Sequence, residues 1–238
     1  MNAFASIQGK KILIHGGGKK ATRLAADLGT EQKMIDGRRI TDEKTLEIVT
    51  MVYAGSINKD IVARLQAKHC DAIGLSGADG NLILAHKRNH PTIDYGFAGE
   101  IDKINSQFLS QLFHWGLVPV VSPITHDMHG QLLNTNADTI AQEMAKALCR
   151  QFSVHLIFSF EKNGVLLDIN DEESVIAELK PASYNSLKSE QKIFAGMIPK
   201  LDNAFEALRQ GVKQVTIGKA EQLHDLIAHR AGTKITHE

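Results

Sequence analysis

The sequence lacks the features that mark a disulfide-stabilised, membrane-spanning or nucleic-acid-binding protein. Its 238 residues include two cysteines, Cys70 and Cys149, which lie far apart and predict free thiols rather than a disulfide or a zinc site. Basic and acidic residues each number 27, and the zero net charge predicts no nucleic-acid partner. No apolar run approaches the roughly 18 residues of a membrane span, and the N-terminus has no signal-peptide core. We therefore predict no membrane partner and a cytoplasmic location.

The composition is that of a folded protein, with 43% apolar and 23% charged residues. A length of 238 residues favours one large domain or two lobes. Apolar runs typical of buried strands alternate with helical periodicity along the whole chain, which predicts the α/β class. We place the boundary between two lobes near residue 150, which gives segments 1–150 and 151–238.

Strands and helices are predicted from these patterns and from glycine, proline and capping signals. Strands are predicted at 11–15, 72–75, 117–123, 154–160, 212–217 and 232–235. Helices are predicted at 19–28, 41–69, 108–115, 136–150, 199–210 and 220–229. Segment 81–99 has the turn signals of a hairpin-rich insertion, a kind of loop that often covers a ligand.

Three consecutive glycines, Gly16, Gly17 and Gly18, lie where a predicted strand meets a helix. At such a junction, unpaired backbone N–H groups and the helix dipole can bind an anion, although a tight turn is the simpler interpretation. Gly16-x-Gly18-x-x-Ala21 also fits a dinucleotide-binding fingerprint, but the acidic strand that should follow is missing. A Walker A loop is excluded because Lys20 occupies the position of its serine or threonine.

Arginines and a group of polar residues offer further candidates for ligand binding. Arg38 and Arg39 precede the long helix in a predicted loop, where a guanidinium could hold a carboxylate or simply be solvated. Asn134, Asn136 and Asp138 open a helix, so they are either capping residues or ligands of a polar substrate.

A lysine at the start of a predicted helix is the last candidate. Lys200 follows Pro199 there, where the helix dipole disfavours a cation unless an anion binds. The histidines have no ligand spacing, and no metal site is predicted.

Six segments occur together in an order that resembles the amino acid kinase family. The segments are KILIHGGG, DGRRIT, LLNTNAD, FEKNGVLLD, GMIPKL and the terminal GTKI. The resemblance covers residues 9–235 and implies a three-layer αβα sandwich with two lobes on a largely parallel central sheet. It implies an amino-terminal lobe that binds an acylated amino acid and forms a homodimer, and a carboxy-terminal lobe that binds ATP with Mg²⁺.

The chain is most similar to members that phosphorylate the γ-carboxylate of N-acetyl-L-glutamate in arginine biosynthesis. The resemblance implies that backbone N–H groups of Gly17 and Gly18 contact the γ-carboxylate and the phosphoryl group, and that Arg39 binds the α-carboxylate. It further assigns the remaining roles as follows: Asn134 and Asn136 hold the acylamino group, Asp138 orients lysine, and Lys200 stabilises the transferring phosphoryl group. The residues implied along the nucleotide are Glu161, Lys162, Asn163, Gly164, Val165, Leu166, Lys192, Ile193 and Phe194.

The chain departs from the family pattern in two places. Family members often carry Ser-Asp where this chain has Phe160-Glu161, and glycine where it has Ala195. They also open with a strand and a K-x-G-G turn that this sequence lacks, so we expect the 238-residue chain to be less active than an extended one. Three functions stay open: an N-acylglutamate 5-kinase, a truncated and catalytically weak binding protein, and a dinucleotide-dependent oxidoreductase.

Overall fold

The computed structural model describes residues 1–35, 37–193 and 197–237 and separates into two compact units. The first unit is Met1–Ile140 and the second is Ala141–Glu238. The division falls inside the helix Ala137–Leu148 rather than after it, because Ala145 belongs to the hydrophobic core of the second unit. The unit boundary therefore precedes the lobe boundary that we predicted near residue 150.

The first unit contains nine strands and six helices within the described residues. The strands are β1 (Leu13–Ile14), β2 (Met34–Ile35), β3 (Arg38–Arg39), β4 (Ala72–Leu75), β5 (Ile83–Lys87), β6 (Gly99–Ile104), β7 (Val118–Val121), β8 (Ile124–His126) and β9 (Leu132–Asn134). The helices are α1 (Asn2–Ser6), α2 (Gly18–Asp27), α3 (Glu43–Thr50), α4 (Asn58–Gln66), α5 (Ser106–His114) and α6 (Ala137–Leu148), the last of which continues into the second unit.

Three sheets form in this unit. Strands β1, β7 and β4 make a parallel sheet in the order β1-β7-β4, and β2 and β3 make an antiparallel hairpin. The third sheet has the order β6-β5-β8-β9, with β5 and β6 antiparallel as the hairpin signals predicted. Helix–strand alternation with a parallel sheet confirms the α/β class.

The long helix predicted over 41–69 consists of α3, a π-helical segment at Met51–Ile57, and α4. Asp42 caps its start, because Oδ1 accepts a hydrogen bond from the Thr45 backbone N–H at 2.7 Å. That bond stabilises the carboxylate and lowers the pKa of Asp42. The apolar face of this helix is buried at Leu46, Tyr53 and Leu65 among others. The π-helical segment was not predicted.

The second unit is built on one four-stranded sheet. Its strands are β10 (His155–Phe160), β11 (Glu178–Leu179), β12 (Gln214–Lys219) and β13 (Thr233–Ile235), in the order β10-β12-β13-β11. Its helices are α7 (Pro181–Ser189), α8 (Ile198–Arg209) and α9 (Leu223–Ile227). Strands β10 and β12 are parallel, and β12 and β13 are antiparallel. The sequence did not predict α7, because within its mostly polar residues only Tyr184 is buried.

The two cysteines are free thiols, as predicted. Across the described ranges, no helix combines the length and the apolar character that crossing a membrane requires.

The half-buried imidazole of His155 makes the stability of the second unit depend on pH. Burial and the neighbouring His229 lower the pKa of His155 to about 4. Above pH 6.5 the ring is neutral in the folded and unfolded chains. Between about pH 6.5 and 4 only the unfolded chain takes up the proton, so this contribution to stability is lost as the pH falls.

We therefore expect His155→Gln to lose less unfolding free energy than the wild type between pH 7 and pH 5. The amide of glutamine can still reach the Thr216 hydroxyl, which lies 2.8 Å from Nε2 of His155. Urea denaturation at both pH values measures the difference. The control is His114→Gln at the exposed end of α5. An equal pH dependence in wild type and His155→Gln would contradict the prediction.

Candidate active site

The glycine turn connects the parallel sheet to α2. The strand hydrogen bonding extends one residue beyond β1, since the His15 N–H donates to the Val121 carbonyl at 3.2 Å. Gly17 caps α2, and the helix begins at Gly18. The first N–H groups of a helix have no partners within it, so this turn can bind an anion. The structure thus confirms the predicted strand–turn–helix junction.

Close packing explains the need for glycine at position 17. A Cβ there would lie 2.8 Å from Cδ1 of Tyr53 and would also collide with the Ile57 side chain. Gly16 differs, because a Cβ built on it meets no atom within 4 Å. Gly17 therefore permits the long helix to approach the turn, and Gly16 lies beside open space.

The imidazole of His15 is buried, neutral and in contact with the glycine turn. Nδ1 of His15 lies 2.9 Å from the Gly16 carbonyl, and Nε2 lies 3.2 Å from Nδ2 of Asn58. Asn58 is fully buried and also donates to the Val120 carbonyl at 2.9 Å. Burial lowers the pKa of His15 and keeps the ring uncharged. Asn58 therefore joins α4 to both the turn and the sheet.

The chain topology after α2 excludes the dinucleotide-binding interpretation of the glycines. In a Rossmann unit the next strand lies parallel in the sheet of the first. Here β2 pairs antiparallel with β3, and β1 pairs with β7 instead. The oxidoreductase alternative was therefore wrong.

Arg39 lies on a strand rather than in the predicted loop, and its guanidinium is buried against the glycine turn. Nη2 donates to the Gly18 carbonyl at 3.2 Å and to the Thr22 hydroxyl at 3.0 Å, and Nη1 donates to Oε1 of Gln32. The side chain is only 7% exposed, so the solvated-surface interpretation was wrong for this arginine. A guanidinium held in this way is oriented before any carboxylate arrives.

Tyr53 shares the environment of this guanidinium. Burial raises the pKa of its hydroxyl, and the hydrogen bond and positive charge of Arg39 oppose that shift. Tyr53 also belongs to the buried face of the long helix. Its contact with Arg39 joins residues far apart in the chain, so no local pattern could have shown it.

Asn134 is linked to Arg39 through Thr41. Nδ2 of Asn134 donates to the Thr41 hydroxyl at 3.0 Å, and that hydroxyl donates to the Arg39 carbonyl at 3.0 Å. The Asn134 N–H donates to the Phe97 carbonyl at 2.8 Å. The structure therefore brings Gly17, Gly18, Arg39 and Asn134 into one connected group.

Asn136 and Asp138 lie just beyond this group. Oδ1 of Asn136 accepts from the Thr139 N–H at 3.0 Å, so Asn136 caps the start of α6 and is exposed. Asp138 is half-buried in the first turn of α6. The capping role of Asn136 is confirmed, and the substrate roles of both residues stay predictions.

The segment 161–166 of the second unit follows the carboxyl end of β10. The N–H of Val165 donates to the Thr233 hydroxyl at 2.8 Å, and Lys162 pairs with Glu172 at 3.0 Å. A Cβ on Gly164 would lie 2.8 Å from that same hydroxyl, so glycine is required there. In parallel sheets ligands bind beyond the carboxyl ends of the strands, which is where Glu161–Leu166 begin.

Three other residues predicted along the nucleotide lie before α8. Lys192 pairs with Glu190 at 2.7 Å, and Ile193 is buried. Phe194 lies outside the described residues.

Two lysines of the second unit lie near strand ends or helix starts. Lys200 occupies the first turn of α8, with Nζ 5.8 Å from the centre of the Phe158 ring. Lys219 ends β12 directly beside Phe160 of β10, and the sequence analysis did not identify it. Its position next to the 161–166 turn depends on strand register, which the sequence alone does not reveal.

The described ranges contain no group of three or more histidine, cysteine, aspartate or glutamate side chains that could hold a metal ion.

The sequence model of the amino acid kinase family matches residues 2–219. The acetylglutamate kinase of Parabacteroides distasonis is 54% identical over 224 residues, which cover 94% of this chain and 88% of that protein. The acetylglutamate kinase of Cytophaga hutchinsonii is also 54% identical, over 98% of this chain and 89% of that protein.

A solved structure has a similar fold. The crystal structure of smu.665 from Streptococcus mutans UA159 aligns with a TM-score of 0.81 and 25% identity, over 94% of this chain and 85% of that one. This likeness confirms the predicted three-layer αβα fold class.

We expect Gly17→Ala to destabilise the first unit and Gly16→Ala to be nearly neutral. The added methyl group at position 17 must displace Tyr53 and Ile57, whereas at position 16 it meets open space. Overpacking of this kind costs about 1–3 kcal/mol. Thermal and urea unfolding of the two variants measure the difference. Equal stability of the two would contradict the packing explanation.

Proposed function

Since the chain belongs to the amino acid kinase family, we propose that it transfers the γ-phosphoryl group of ATP to the γ-carboxylate of N-acetyl-L-glutamate. The observation that carries this proposal is the 54% identity to acetylglutamate kinases over nearly the whole chain. The product is an acyl phosphate, N-acetyl-L-glutamyl 5-phosphate, and the reaction is a step of arginine biosynthesis.

Charge neutralisation is the main task of such a site. The unperturbed pKa of a glutamate carboxyl group is about 4.3, so the acceptor is already ionised and needs no general base. Two like charges about 4 Å apart repel by roughly 4 kcal/mol at an effective dielectric constant of about 20. An anion that attacks a polyphosphate meets several such repulsions. Donors fixed in position must offset them.

The first unit supplies groups suited to the acylglutamate. The N–H groups of Gly17 and Gly18 would contact the γ-carboxylate and the phosphoryl group at the positive end of α2. Arg39 would bind the α-carboxylate, and its three hydrogen-bond partners already fix the plane of the guanidinium. Asn134, held through Thr41, and Asn136 would contact the acylamino group.

The second unit supplies groups suited to ATP. The segments 161–166 and 192–194 would border the nucleotide. Lys200, in the first turn of α8, would stabilise the phosphoryl group during transfer, and Asp138 would orient lysine. Mg²⁺ would arrive with ATP, because its phosphates provide the oxygen ligands that this metal prefers. Bound there, it would neutralise phosphate charge.

We further propose that the protein is a cytoplasmic homodimer that associates through the first unit. Size-exclusion chromatography with light scattering tests the dimer, and a monomer at micromolar concentration would contradict it.

A coupled assay with N-acetyl-L-glutamate and free L-glutamate tests the function. We expect phosphorylation of the first substrate and little of the second, because an α-ammonium group would place a charge beside Asn134 and Asn136. Equal turnover of free glutamate would contradict the assignment. ATP binding without turnover of either substrate would support the catalytically weak binding protein instead.

We expect Arg39→Ala to raise KM for N-acetyl-L-glutamate by about tenfold or more, and KM for ATP much less. The lost guanidinium would bind the α-carboxylate in the ground state and the transition state alike. Arg39→Lys keeps the positive charge but loses the paired N–H donors of the guanidinium. Arg64→Ala, which removes an exposed arginine on α4, is the control. Thermal unfolding of each variant separates lost binding from lost folding. A parallel rise in both KM values would contradict the role of Arg39.

We expect Lys200→Ala to lower kcat by about 10²–10³, with a smaller change in KM for the acylglutamate. Its charge would matter most when the phosphoryl group lies between donor and acceptor. The matched control is Lys234→Ala, which removes an exposed lysine from β13. An unchanged kcat would exclude Lys200 from the chemistry.

A further inference from the structure

The peptide unit between Gly16 and Gly17 lies outside α2, and its orientation depends on another residue. The Gly17 carbonyl accepts from the Ala21 N–H at 3.0 Å, so α2 orients the following peptide unit and with it the Gly18 N–H. The Gly16–Gly17 unit precedes this helical bond. Glycine on both sides lets a peptide unit rotate with little steric resistance. The direction of the Gly17 N–H therefore needs a separate constraint.

The imidazole of His15 supplies that constraint. Its Nδ1 lies 2.9 Å from the Gly16 carbonyl oxygen. Since a carbonyl oxygen can only accept a hydrogen bond, Nδ1 carries the proton and donates it. Across the described ranges, this carbonyl has no second hydrogen-bond partner. The buried ring of His15 is therefore what holds the Gly16 carbonyl.

Asn58 requires the same tautomer of His15. Nδ2 of Asn58 donates to the Val120 carbonyl at 2.9 Å and lies 3.2 Å from Nε2 of His15. Nζ of Lys59 donates to Oδ1 of Asn58 at 3.2 Å, which distinguishes the oxygen end of the amide from its nitrogen end. An amide N–H that faces Nε2 needs an acceptor there, so Nε2 carries no proton. The contacts of both ring nitrogens thus assign the proton to Nδ1.

The bond from His15 also sets the direction of the Gly17 N–H. The peptide unit between Gly16 and Gly17 is trans and planar, so its C=O and N–H groups point in opposite directions. Because the carbonyl is turned toward the buried ring, the N–H points away from it. Within the described ranges, the Gly17 N–H makes no hydrogen bond. The unpaired donor is thus held in one direction at the start of α2.

We propose that His15 is a positioning residue that turns the Gly17 N–H toward the phosphoryl group during transfer, and that Asn58 maintains the tautomer this requires. The inference rests on the proposed function and adds to it two residues that do not touch the substrate. A donor that is already oriented needs no reorganisation when negative charge develops. A freely rotating Gly16–Gly17 peptide would lose that advantage.

The tautomer is tested on the wild-type protein. A long-range ¹H–¹⁵N spectrum of protein labelled with ¹⁵N-histidine distinguishes the two neutral forms of each ring. The spectrum of a His15→Asn variant assigns the signals of His15. We expect the form with the proton on Nδ1 at neutral pH. The form with the proton on Nε2 would overturn the inference, because Nδ1 could not then donate to the Gly16 carbonyl, and would leave the proposed function intact.

Two amide variants separate orientation from packing. His15→Asn places an amide nitrogen near the position of Nδ1, whereas His15→Gln places one near Nε2. We expect His15→Gln to lower kcat by about tenfold to a hundredfold, with a smaller change in KM for N-acetyl-L-glutamate. His15→Asn should retain most of kcat. Equal kcat values in the two variants would overturn the positioning role.

The control is His129→Gln, which changes an exposed histidine between β8 and β9 and should leave kcat unchanged. Thermal unfolding of each variant sets an assay temperature below its transition. If neither amide variant folds, the spectrum of the wild type still decides the tautomer. Failure of the wild type to phosphorylate N-acetyl-L-glutamate would overturn the proposed function and the part of His15 in it.

Discussion

The hydrogen bonds of the Arg39 guanidinium hold the acylglutamate side of the proposed site together. They connect a β-hairpin residue to the glycine turn through the Gly18 carbonyl and to α2 through Thr22. The strand carbonyl of the same residue accepts from Thr41, which in turn holds Asn134. A buried cation without partners would be strongly disfavoured, so this network also forms a condition for folding. The hydrogen bonds that compensate the positive charge of Arg39 also fix the orientation of its guanidinium plane.

The proposed site would use backbone dipoles and cations where a different kinase acceptor would require a base. An ionised carboxylate acceptor needs no proton removed, so the groups that we propose for its site are hydrogen-bond donors and cations: N–H groups, a guanidinium and a lysine. His15 lies beside the turn yet is buried, neutral and bonded on both ring nitrogens. Its place is structural, because it fixes the turn on which the donors are displayed.

The sequence predicted those features of the fold that depend on residues close together in the chain. The glycine turn and the buried strands follow from neighbouring residues, and the structure confirms them. The roles of Thr22, Gln32, Thr41 and Tyr53 around Arg39 did not follow, because each contact joins distant segments. Spacing alone also could not distinguish a half-buried Arg38 from a solvated one. Helix α7 was not predicted because its apolar face is weak. The position of Lys219 beside Phe160 was not predicted because it depends on strand register.

The long helix, which includes the π-helical segment Met51–Ile57, contributes side chains to two hydrophobic clusters. Residues before and within it, including Val49 and Tyr53, pack with α2, whereas Ile61 and Leu65 pack with the parallel sheet. Ile57 contacts both clusters and also limits the space at Gly17. The long helix therefore joins the hydrophobic core beside the parallel sheet to the packing around the glycine turn, so the room available at Gly17 depends on side chains that also belong to that core.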